Sequence, residues 1–301
     1  MENFRIKVFR VVAQHLNFTR AAEELLLTQP AVTQQIKALE EEYGVPLFDR
    51  VGGRVTLTDA GAALLPHAER LATLAREAFE AVTSASGSVT GVLALGASQT
   101  IAQYVLPQMV ATFLRSHPGA KVTAISGNTD RILGAVVEHR IQLALIEGPG
   151  LRKDIHTEPF MKDQMVLVVP PGHEWAGEEI DVSEVAGAPL LMREVGSGSR
   201  RVVENALVKA GVKKKSLNTI MELDSTEGLL SAVEAGLGCT FVSRWAIRNQ
   251  LALGTLRVVH VKGLKLAREF SLVYASGPEP RGNVGAFRQF VLGYSSQVKS
   301  W

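Results

Sequence analysis

Apolar residues near the start of the chain recur at intervals of three and four, which is the spacing of one buried face of an α-helix. Three such faces follow one another within the first 40 residues. They comprise Phe4, Val8, Phe9 and Val12, then Ala21, Ala22, Leu25 and Leu26, and then Val32, Ile36 and Leu39. The pattern predicts three short helices that bury these faces in one small core.

The second and third of these helices, over residues 18–40, are separated by a tight turn. Thr28 is placed to cap the third helix, because its hydroxyl can accept a hydrogen bond from a free backbone N–H. Pro30 falls in the first turn of that helix, where a missing N–H costs nothing. Two short helices joined in this way form a helix-turn-helix, whose second helix enters the major groove of DNA.

Short polar side chains occupy the side of the third helix that lies opposite its apolar stripe. Gln29 and Gln34 can pair bidentately with adenine, and Thr33 can contact bases or a thymine methyl group. Lys37 lies on the same side. These residue types favour contact with base edges, and the alternative is a small helical core with no DNA-binding role.

Residues 48–58 predict a β-hairpin that turns at Gly52-Gly53 and forms a wing beside the helices. Arg50 and Arg54 lie on this hairpin, where they can reach phosphates. Residues 1–58 hold seven Lys/Arg and seven Asp/Glu, so DNA affinity depends on where the cations lie and should be salt-sensitive. The predicted DNA-binding residues are Thr19, Arg20, Thr28, Gln29, Pro30, Thr33, Gln34, Lys37, Arg50 and Arg54.

A long helix is predicted to begin at Asp59, capped by Thr58, and to run to about Ser84. Its apolar residues step by four and three in a heptad seam that favours pairing with a second chain. The alternative is an amphipathic helix that packs on its own domain. The polar segment 83–88 then predicts a hinge. The seam comprises Leu64, Ala68, Leu71, Ala75, Ala78 and Val82.

Beyond this helix, strand patterns alternate with helical patterns, which predicts open, mostly parallel sheets flanked by helices and therefore an α/β fold overall. The predicted elements include a single helix over 99–116 and a strand over 165–169. Two groups of units, 92–163 and 164–267, would form two lobes, and 268–301 would return to the first lobe.

Ligands in α/β sheets bind beyond the carboxyl ends of the strands, often against helix N-termini. Hydroxyls and free N–H groups follow several predicted strands here, and Arg193 or Arg200 can add a full positive charge. Glu147 would repel an anion, so we expect it to face away or to bind an amino group. The predicted effector-binding residues are Ser98, Gln99, Thr100, Ser126, Asn128, Glu147, Arg193, Ser197, Ser199 and Thr226.

This donor set predicts a small anionic effector, such as an organic acid, a sugar phosphate or a sulfur oxyanion. The alternative for each Ser or Thr is a helix cap without a ligand. The 301 residues carry a net charge of +2 and one cysteine, Cys239, which we expect to be an inert core thiol. Without a signal peptide, membrane span or Cys/His cluster, we expect a cytoplasmic protein with no metal and no cofactor.

One dense set of motifs identifies a family. The segments Phe18–Leu25, Thr28–Glu40, Gly44–Arg50 and Leu57–Gly61 are similar to the LysR-type transcriptional regulators. The resemblance implies a homodimer or homotetramer that binds pseudo-palindromic double-stranded DNA, responds to a small molecule and contacts RNA polymerase. It also implies an effector domain like the periplasmic binding proteins.

The run from Arg193 to Arg200, with Asp224–Glu227, resembles the branch of this family that controls carbon fixation and sulfur assimilation. The alternatives are a solute-binding protein, which would need an export signal, and a small-molecule enzyme, for which no Gly-x-Ser-x-Gly or phosphate-binding motif is present in the right context. The predicted domains are a DNA-binding domain at 1–58, a linker and dimerisation helix with a hinge at 59–88, and an effector domain at 89–301. Its first lobe covers 89–163 and 268–301, and its second covers 164–267.

Overall fold

The computed structural model describes residues 3–51, 54–84, 89–148, 152–277 and 279–294. The chain begins with three helices and a hairpin. The contacts divide the chain into two units, one comprising residues 1–87 with 138–140 and one comprising the remainder. The elements of the first unit are α1 (Phe4–His15), α2 (Phe18–Leu25), α3 (Gln29–Tyr43), β1 (Phe48–Val51), β2 (Arg54–Leu57) and α4 (Asp59–Ser84).

The core of the first unit consists of the apolar faces that the sequence predicts for its helices. Phe9, Val32 and Ile36 are fully buried in it, and the ring of Phe48 packs on Phe9 at a centroid distance of 5.4 Å. Strands β1 and β2 pair antiparallel from Phe48↔Leu57 to Val51↔Arg54. The turn predicted at Gly52-Gly53 lies outside the described residues, as do positions 85–88 of the predicted hinge.

The first turn of helix α4 lies against this core at Gly61, a position that only glycine can occupy. Thr58 Oγ1 accepts a hydrogen bond from Gly61 N at 3.0 Å and donates to Pro46 O at 2.7 Å, which caps the helix. A Cβ at Gly61 would lie 2.1 Å from Leu47 O. The cap and the close approach together fix where α4 leaves the first unit.

The second unit opens with a parallel sheet. Strand β3 pairs parallel with both β4 and β5. The predicted helix over 99–116 is wrong, because it is interrupted at Val105. Pro107 lies in the first turn of the next helix, a position that proline tolerates, whereas a helix interior would lose a hydrogen bond. The elements are β3 (Gly91–Ser98), α5 (Gln99–Tyr104), α6 (Leu106–Ser116), β4 (Ala120–Gly127), α7 (Thr129–Val137) and β5 (Leu143–Glu147).

The rest of this unit adds a second sheet region and then returns to the first. The elements are β6 (Ile155–Val169), β7 (Glu179–Ile180), α8 (Val182–Gly187), β8 (Leu190–Arg193), α9 (Gly198–Lys209), β9 (Thr219–Leu223), α10 (Thr226–Glu234), β10 (Cys239–Ser243), α11 (Arg248–Leu253), β11 (Arg257–Val261), β12 (Ala267–Ala275) and α12 (Gly282–Tyr294). The strand order is β4-β3-β5-β12-β6-β10-β8-β9, and β11 pairs with β6 and β7.

Strand β6 joins the two lobes of the second unit. Its residues 155–164 pair antiparallel with β12, and residues 165–169 pair antiparallel with β10 and β11. The predicted strand over 165–169 is therefore too short by ten residues. Lys162 and Asp163 interrupt the apolar pattern of β6, which is why periodicity reveals only its second half.

Candidate functional site

Helix α3 presents a row of polar side chains on the surface of the first unit. Gln29, Gln34 and Lys37 are exposed, and Thr33 is half-buried. Gln29 Nε2 donates to Thr33 Oγ1 at 3.2 Å, so the two side chains hold each other. The opposite face of the helix is buried through Val32, Ile36 and Leu39. Gln29, Gln34 and Lys37 therefore lie outside the core, and Thr33 is the one member of the row that is partly buried.

Capping side chains fix the first turns of α2 and α3. Asn17 Oδ1 accepts from Thr19 N at 2.9 Å and from Arg20 N at 3.0 Å. Thr28 Oγ1 accepts from Ala31 N at 3.4 Å. These bonds leave the side chains of Thr19 and Arg20 exposed beside the turn. The remaining predicted DNA-binding residue on α3 is Pro30, which is also exposed.

The hairpin places two arginines at the edge of this surface. The Arg50 guanidinium carbon lies 4.0 Å from the centroid of the Phe18 ring, a cation–π contact that holds the side chain against α2. Arg54 is exposed at the start of β2. Both cations remain accessible to an anionic backbone.

Helix α4 buries the first part of its predicted seam in its own unit. Ala68 is fully buried in the core of the first unit and Leu64 packs against it. Beyond that point the apolar residues face outward, with Leu71 43% and Val82 75% exposed. Ala75 is half-buried and Ala78 is exposed. The outer half of the helix thus carries an apolar face that its own unit does not cover.

In the second unit, the carboxylate of Glu147 lies at the centre of a buried polar cluster between the two lobes. Glu147 Oε1 accepts from Thr100 N at 2.9 Å, and Glu147 Oε2 accepts from Ser199 Oγ at 2.5 Å. Glu147 therefore does not face away from these donors, whereas the alternative that it binds an amino group of a ligand stays a prediction. Ser199 lies on the second lobe, so its bond to Glu147 crosses the cleft.

Arg268 supplies the positive charge of this cluster. Arg268 Nη1 donates to Glu147 Oε2 at 3.1 Å and to Ser199 Oγ at 2.8 Å. Its Nε donates to Asp163 Oδ2 at 2.7 Å, and Asp163 Oδ1 accepts from Ser243 Oγ at 2.7 Å. The side chains of Glu147, Asp163 and Arg268 are each 1–2% exposed. A chain of charge-assisted hydrogen bonds thus links Glu147 on β5, Arg268 on β12 and Asp163 on β6.

Burial and pairing act in opposite directions on the two acids. Burial raises the pKa of Glu147, but the charge of Arg268 and the hydrogen bonds from Ser199 and Thr100 outweigh it and hold the pKa below its ordinary value. Burial raises the pKa of Asp163 above its ordinary value, and Arg268 and Ser243 only partly oppose this. The cluster therefore favours the anionic form of Glu147 more strongly than that of Asp163.

The two arginines predicted to bind an anion are both held by the protein. Arg193 is buried, donating from Nη1 to Thr226 Oγ1 at 3.0 Å and from Nε to Glu194 Oε2 at 2.8 Å. Arg200 Nε donates to Glu204 Oε1 at 2.8 Å, and its Nη1 to Arg193 O at 2.9 Å.

Some polar atoms in the cleft remain without a hydrogen-bond partner among the described residues. These buried atoms are Ser98 Oγ, Gln99 Oε1 and Arg268 Nη2. Ser98 and Arg268 are 1% and 6% exposed, so water does not satisfy them at the protein surface. Because buried polar groups are costly when unpaired, these three atoms are candidate ligand contacts.

The other predicted effector residues act as helix caps or lie at the surface. Asn128 Oδ1 accepts from Arg131 N at 3.0 Å, and Ser197 Oγ accepts from Arg200 N at 3.4 Å. Ser126 is exposed. The capping alternative thus describes the contacts of Asn128 and Ser197.

Sequence reasoning missed Arg268, Asp163 and Ser243. Arg268 and Asp163 are charged residues inside β-rich segments, which was the available signal. The two residues are 105 positions apart in the sequence, and their contact depends on the register Arg268↔Asp163 between β12 and β6. A single sequence does not reveal that register.

Other chemistry has little support in the described part of the chain. No group of three or more His, Cys, Asp or Glu side chains there could hold a metal ion. Burial raises the pKa of the Cys239 thiol to about 12, which disfavours the reactive thiolate. None of the described helices combines the length and apolar character of a membrane span.

Two family models match the chain. Residues 86–295 match the LysR substrate binding domain, and residues 5–62 match the bacterial regulatory helix-turn-helix protein of the lysR family. The RuBisCO operon transcriptional regulator of Allochromatium vinosum is 32% identical over 98% of this chain and 96% of its own length. CysL of Bacillus subtilis (strain 168), an HTH-type transcriptional regulator, is 32% identical over 97% of this chain and 98% of its own length.

Solved structures show the same fold. Full-length CbnR complexed with its target DNA has a TM-score of 0.71 and 22% identity, covering 97% of this chain and 99% of that one. The regulatory domain of Synechocystis PCC6803 CcmR in complex with 2-PG has a TM-score of 0.63 and 22% identity, covering 68% and 98%. These matches confirm the predicted fold class of an N-terminal helix-turn-helix followed by an α/β effector domain.

Proposed function

The chain belongs to the LysR family of transcriptional regulators, and on this premise we propose how its surfaces divide the work. Helix α3 and the wing bind duplex DNA, and the cleft around Glu147 binds a small anionic effector. The exposed polar row of α3, which lies over a fully buried apolar stripe, carries the first assignment. The same family is shared by relatives that regulate a RuBisCO operon and by CysL, which supports a regulator rather than an enzyme.

The effector assignment is supported by the donors that meet in the cleft. Thr100 N, Ser199 Oγ and Arg268 Nη1 together hold a carboxylate, that of Glu147. Ser98, two residues before Thr100, and Arg268 each carry a buried polar atom, Oγ and Nη2, that still lacks a partner among the described residues. These two donors remain for a second small anion, whose hydrogen bonds must outweigh the repulsion from Glu147. The regulatory domain of CcmR, which has a similar fold, was solved in complex with 2-PG.

The assembly is inferred from α4. Two chains would pair through the outward apolar face at Leu71 and Val82, and two α3 helices would then lie in neighbouring major-groove turns of a pseudo-palindromic site. Tetramers and a contact with RNA polymerase are further proposals that rest on the family resemblance. A regulator of this kind works in the compartment that holds its DNA, which for a bacterium is the cytoplasm.

DNA recognition is tested by comparing a base-contact variant with a matched control. Gln29→Ala should weaken binding to the selected operator by about 1–3 kcal/mol and binding to random DNA much less. Gln14→Ala, which removes an exposed glutamine from α1, should change neither. Binding isotherms of the full chain on both duplexes give the answer, and equal losses on both would show that Gln29 does not read bases.

Effector binding is tested by thermal shift of the full chain against a panel of small carboxylates, phosphates and sulfur oxyanions. An anion that binds the cleft should raise the unfolding temperature, and Ser98→Ala should reduce that shift. Ser231→Ala, at an exposed serine of α10, serves as the control. A hit whose shift is the same in all three proteins would place the effector site elsewhere.

A further inference from the structure

A large cavity lies where the two lobes of the second unit are joined, and of the polar cluster around Glu147 only Asp163 lines it. Its volume is about 1020 Å³, which is as large as the usual small-molecule sites. Residues 159–166 of β6 form its floor, and segments 241–251 and 258–269 contribute its walls. Ser98, Thr100, Glu147 and Ser199 do not line it.

The cavity follows from the path of β6. The pairing of β6 with β12 shifts register between Pro159 and Met161, so Phe160 is left unpaired as a bulge. A few residues later β6 changes partners from β12 to β10 and β11. Phe160, Met165 and Val166 belong to three different apolar clusters. Members of all three clusters line the cavity, which therefore lies where three cores meet along β6.

Its lining combines an apolar wall with a rim rich in cations. Trp245 and Leu251 are half-buried in the wall, and Phe160 and Phe241 are buried. The exposed rim cations are Lys162, Arg244, Arg248 and Lys265. The lining acids are Glu269, which is exposed, and Asp163, which Arg268 already neutralises. Positive charge thus exceeds negative charge over an apolar surface.

We propose that this cavity is a second small-molecule site, selective for an amphipathic organic anion with an aromatic or branched apolar body. The apolar body contacts Trp245 and the wall, and the acid group lies among Arg244, Lys162 and Lys265. Arg244 Nη1 is 3.5 Å from Gln164 Oε1, so an anion competes with only a weak contact for that guanidinium. The site goes beyond the effector cleft and shares no lining residue with the donors placed there.

The test is calorimetric titration of the full-length chain with 2-naphthoate, with 2-naphthalenemethanol and acetate as the neutral and the small-anion controls. Naphthoate should bind, and each control should bind at least about tenfold more weakly, because each lacks one half of the recognised chemistry. Arg244→Gln and Lys265→Gln should each weaken naphthoate binding about tenfold. Lys213→Gln, at an exposed lysine outside the lining, should not.

Tryptophan fluorescence locates the ligand. The chain has three tryptophans, Trp175, Trp245 and Trp301, so a Trp175→Phe/Trp301→Phe protein reports on the cavity wall alone. Naphthoate should change its emission with the calorimetric affinity, and Ser98→Ala should leave that affinity unchanged. No naphthoate binding, equal binding of the neutral alcohol, an equal loss in Lys213→Gln, a silent Trp245 or a loss in Ser98→Ala would each overturn the proposal.

Discussion

Replacement of Arg268 by glutamine is the sharpest test of the buried cluster, because it leaves two acids without their cation. Arg268 holds Glu147 at 3.1 Å and Asp163 at 2.7 Å, and all three side chains are nearly inaccessible to solvent. Removing one partner of a buried ion pair costs about 3–5 kcal/mol. The whole stability of a domain is about 5–15 kcal/mol, so Arg268→Gln should remove a large part of it.

Glu147→Gln should cost less, because Arg268 then keeps Asp163 as its partner. The expected loss is about 1.5–3 kcal/mol, the value of hydrogen bonds to a charged group. The double variant should cost less than the sum of the single variants, since both act on one contact. Arg152→Gln, which removes an exposed pair with Asp154, is the matched surface control and should change stability little.

The assay is urea unfolding of the full chain at neutral pH, followed by tryptophan fluorescence. Trp175 and Trp245 pack against cores of the second unit, so their signal reports on the effector domain. The reasoning is refuted if Arg268→Gln unfolds at the same urea concentration as Arg152→Gln. An Arg268→Gln loss no larger than that of Glu147→Gln would refute the claim that both acids depend on this guanidinium.

Further tests concern the DNA-binding surface, α4 and acid stability. Arg50→Ala should weaken binding to all DNA sequences and lower the salt slope by about one, and an unchanged slope would remove Arg50 from the phosphate contacts. Val82→Asp should shift sedimentation toward the monomer, since it puts a charge on an exposed apolar face. The lowered pKa of Glu147 means that its stabilisation is present above about pH 4.3 and is lost as pH falls through its folded pKa. The raised pKa of Asp163 has the opposite effect and favours the folded state as pH falls. The loss of stability in acid from this pair therefore comes from Glu147, and Glu147→Gln should reduce it.

Local patterns explain why the elements that carry the proposed DNA-binding surface could be predicted closely. The start of α3 depends on Thr28 and Pro30, which act within one helical turn, and its buried stripe depends on spacing alone. Helix α4 likewise begins at Asp59, directly after the residue predicted to cap it. Whether the exposed side chains read bases is a separate matter and stays a prediction.

The cleft could be predicted only in part, because its groups come from distant segments. Strand ends indicated Ser98, Thr100 and Ser199, since residues after parallel strands meet at one edge. Asp163 and Arg268 came from β6 and β12, whose antiparallel pairing joins segments that are far apart in the sequence. The first half of β6 was not recognised in the sequence, because the charges of Lys162 and Asp163 break the apolar pattern on which the prediction relies. The charge of Asp163 is also what pairs it with Arg268 in the buried cluster.

The contacts across the cleft set a requirement for any effector. Besides the Ser199–Glu147 bond, Gly198 N donates to Thr129 Oγ1 at 3.1 Å, and Arg201 Nη1 donates to Asp130 Oδ1 at 2.7 Å. An effector changes the balance of open and closed lobes only through its preference for one of them. Moving that balance from 1:99 to 99:1 takes about 5.5 kcal/mol, whereas one charge-assisted hydrogen bond contributes about 1.5–3 kcal/mol. On the proposed function, an anion that met only one cleft donor would therefore be too weak a switch. We expect the effector to use several cleft donors at once, with Arg268 among them.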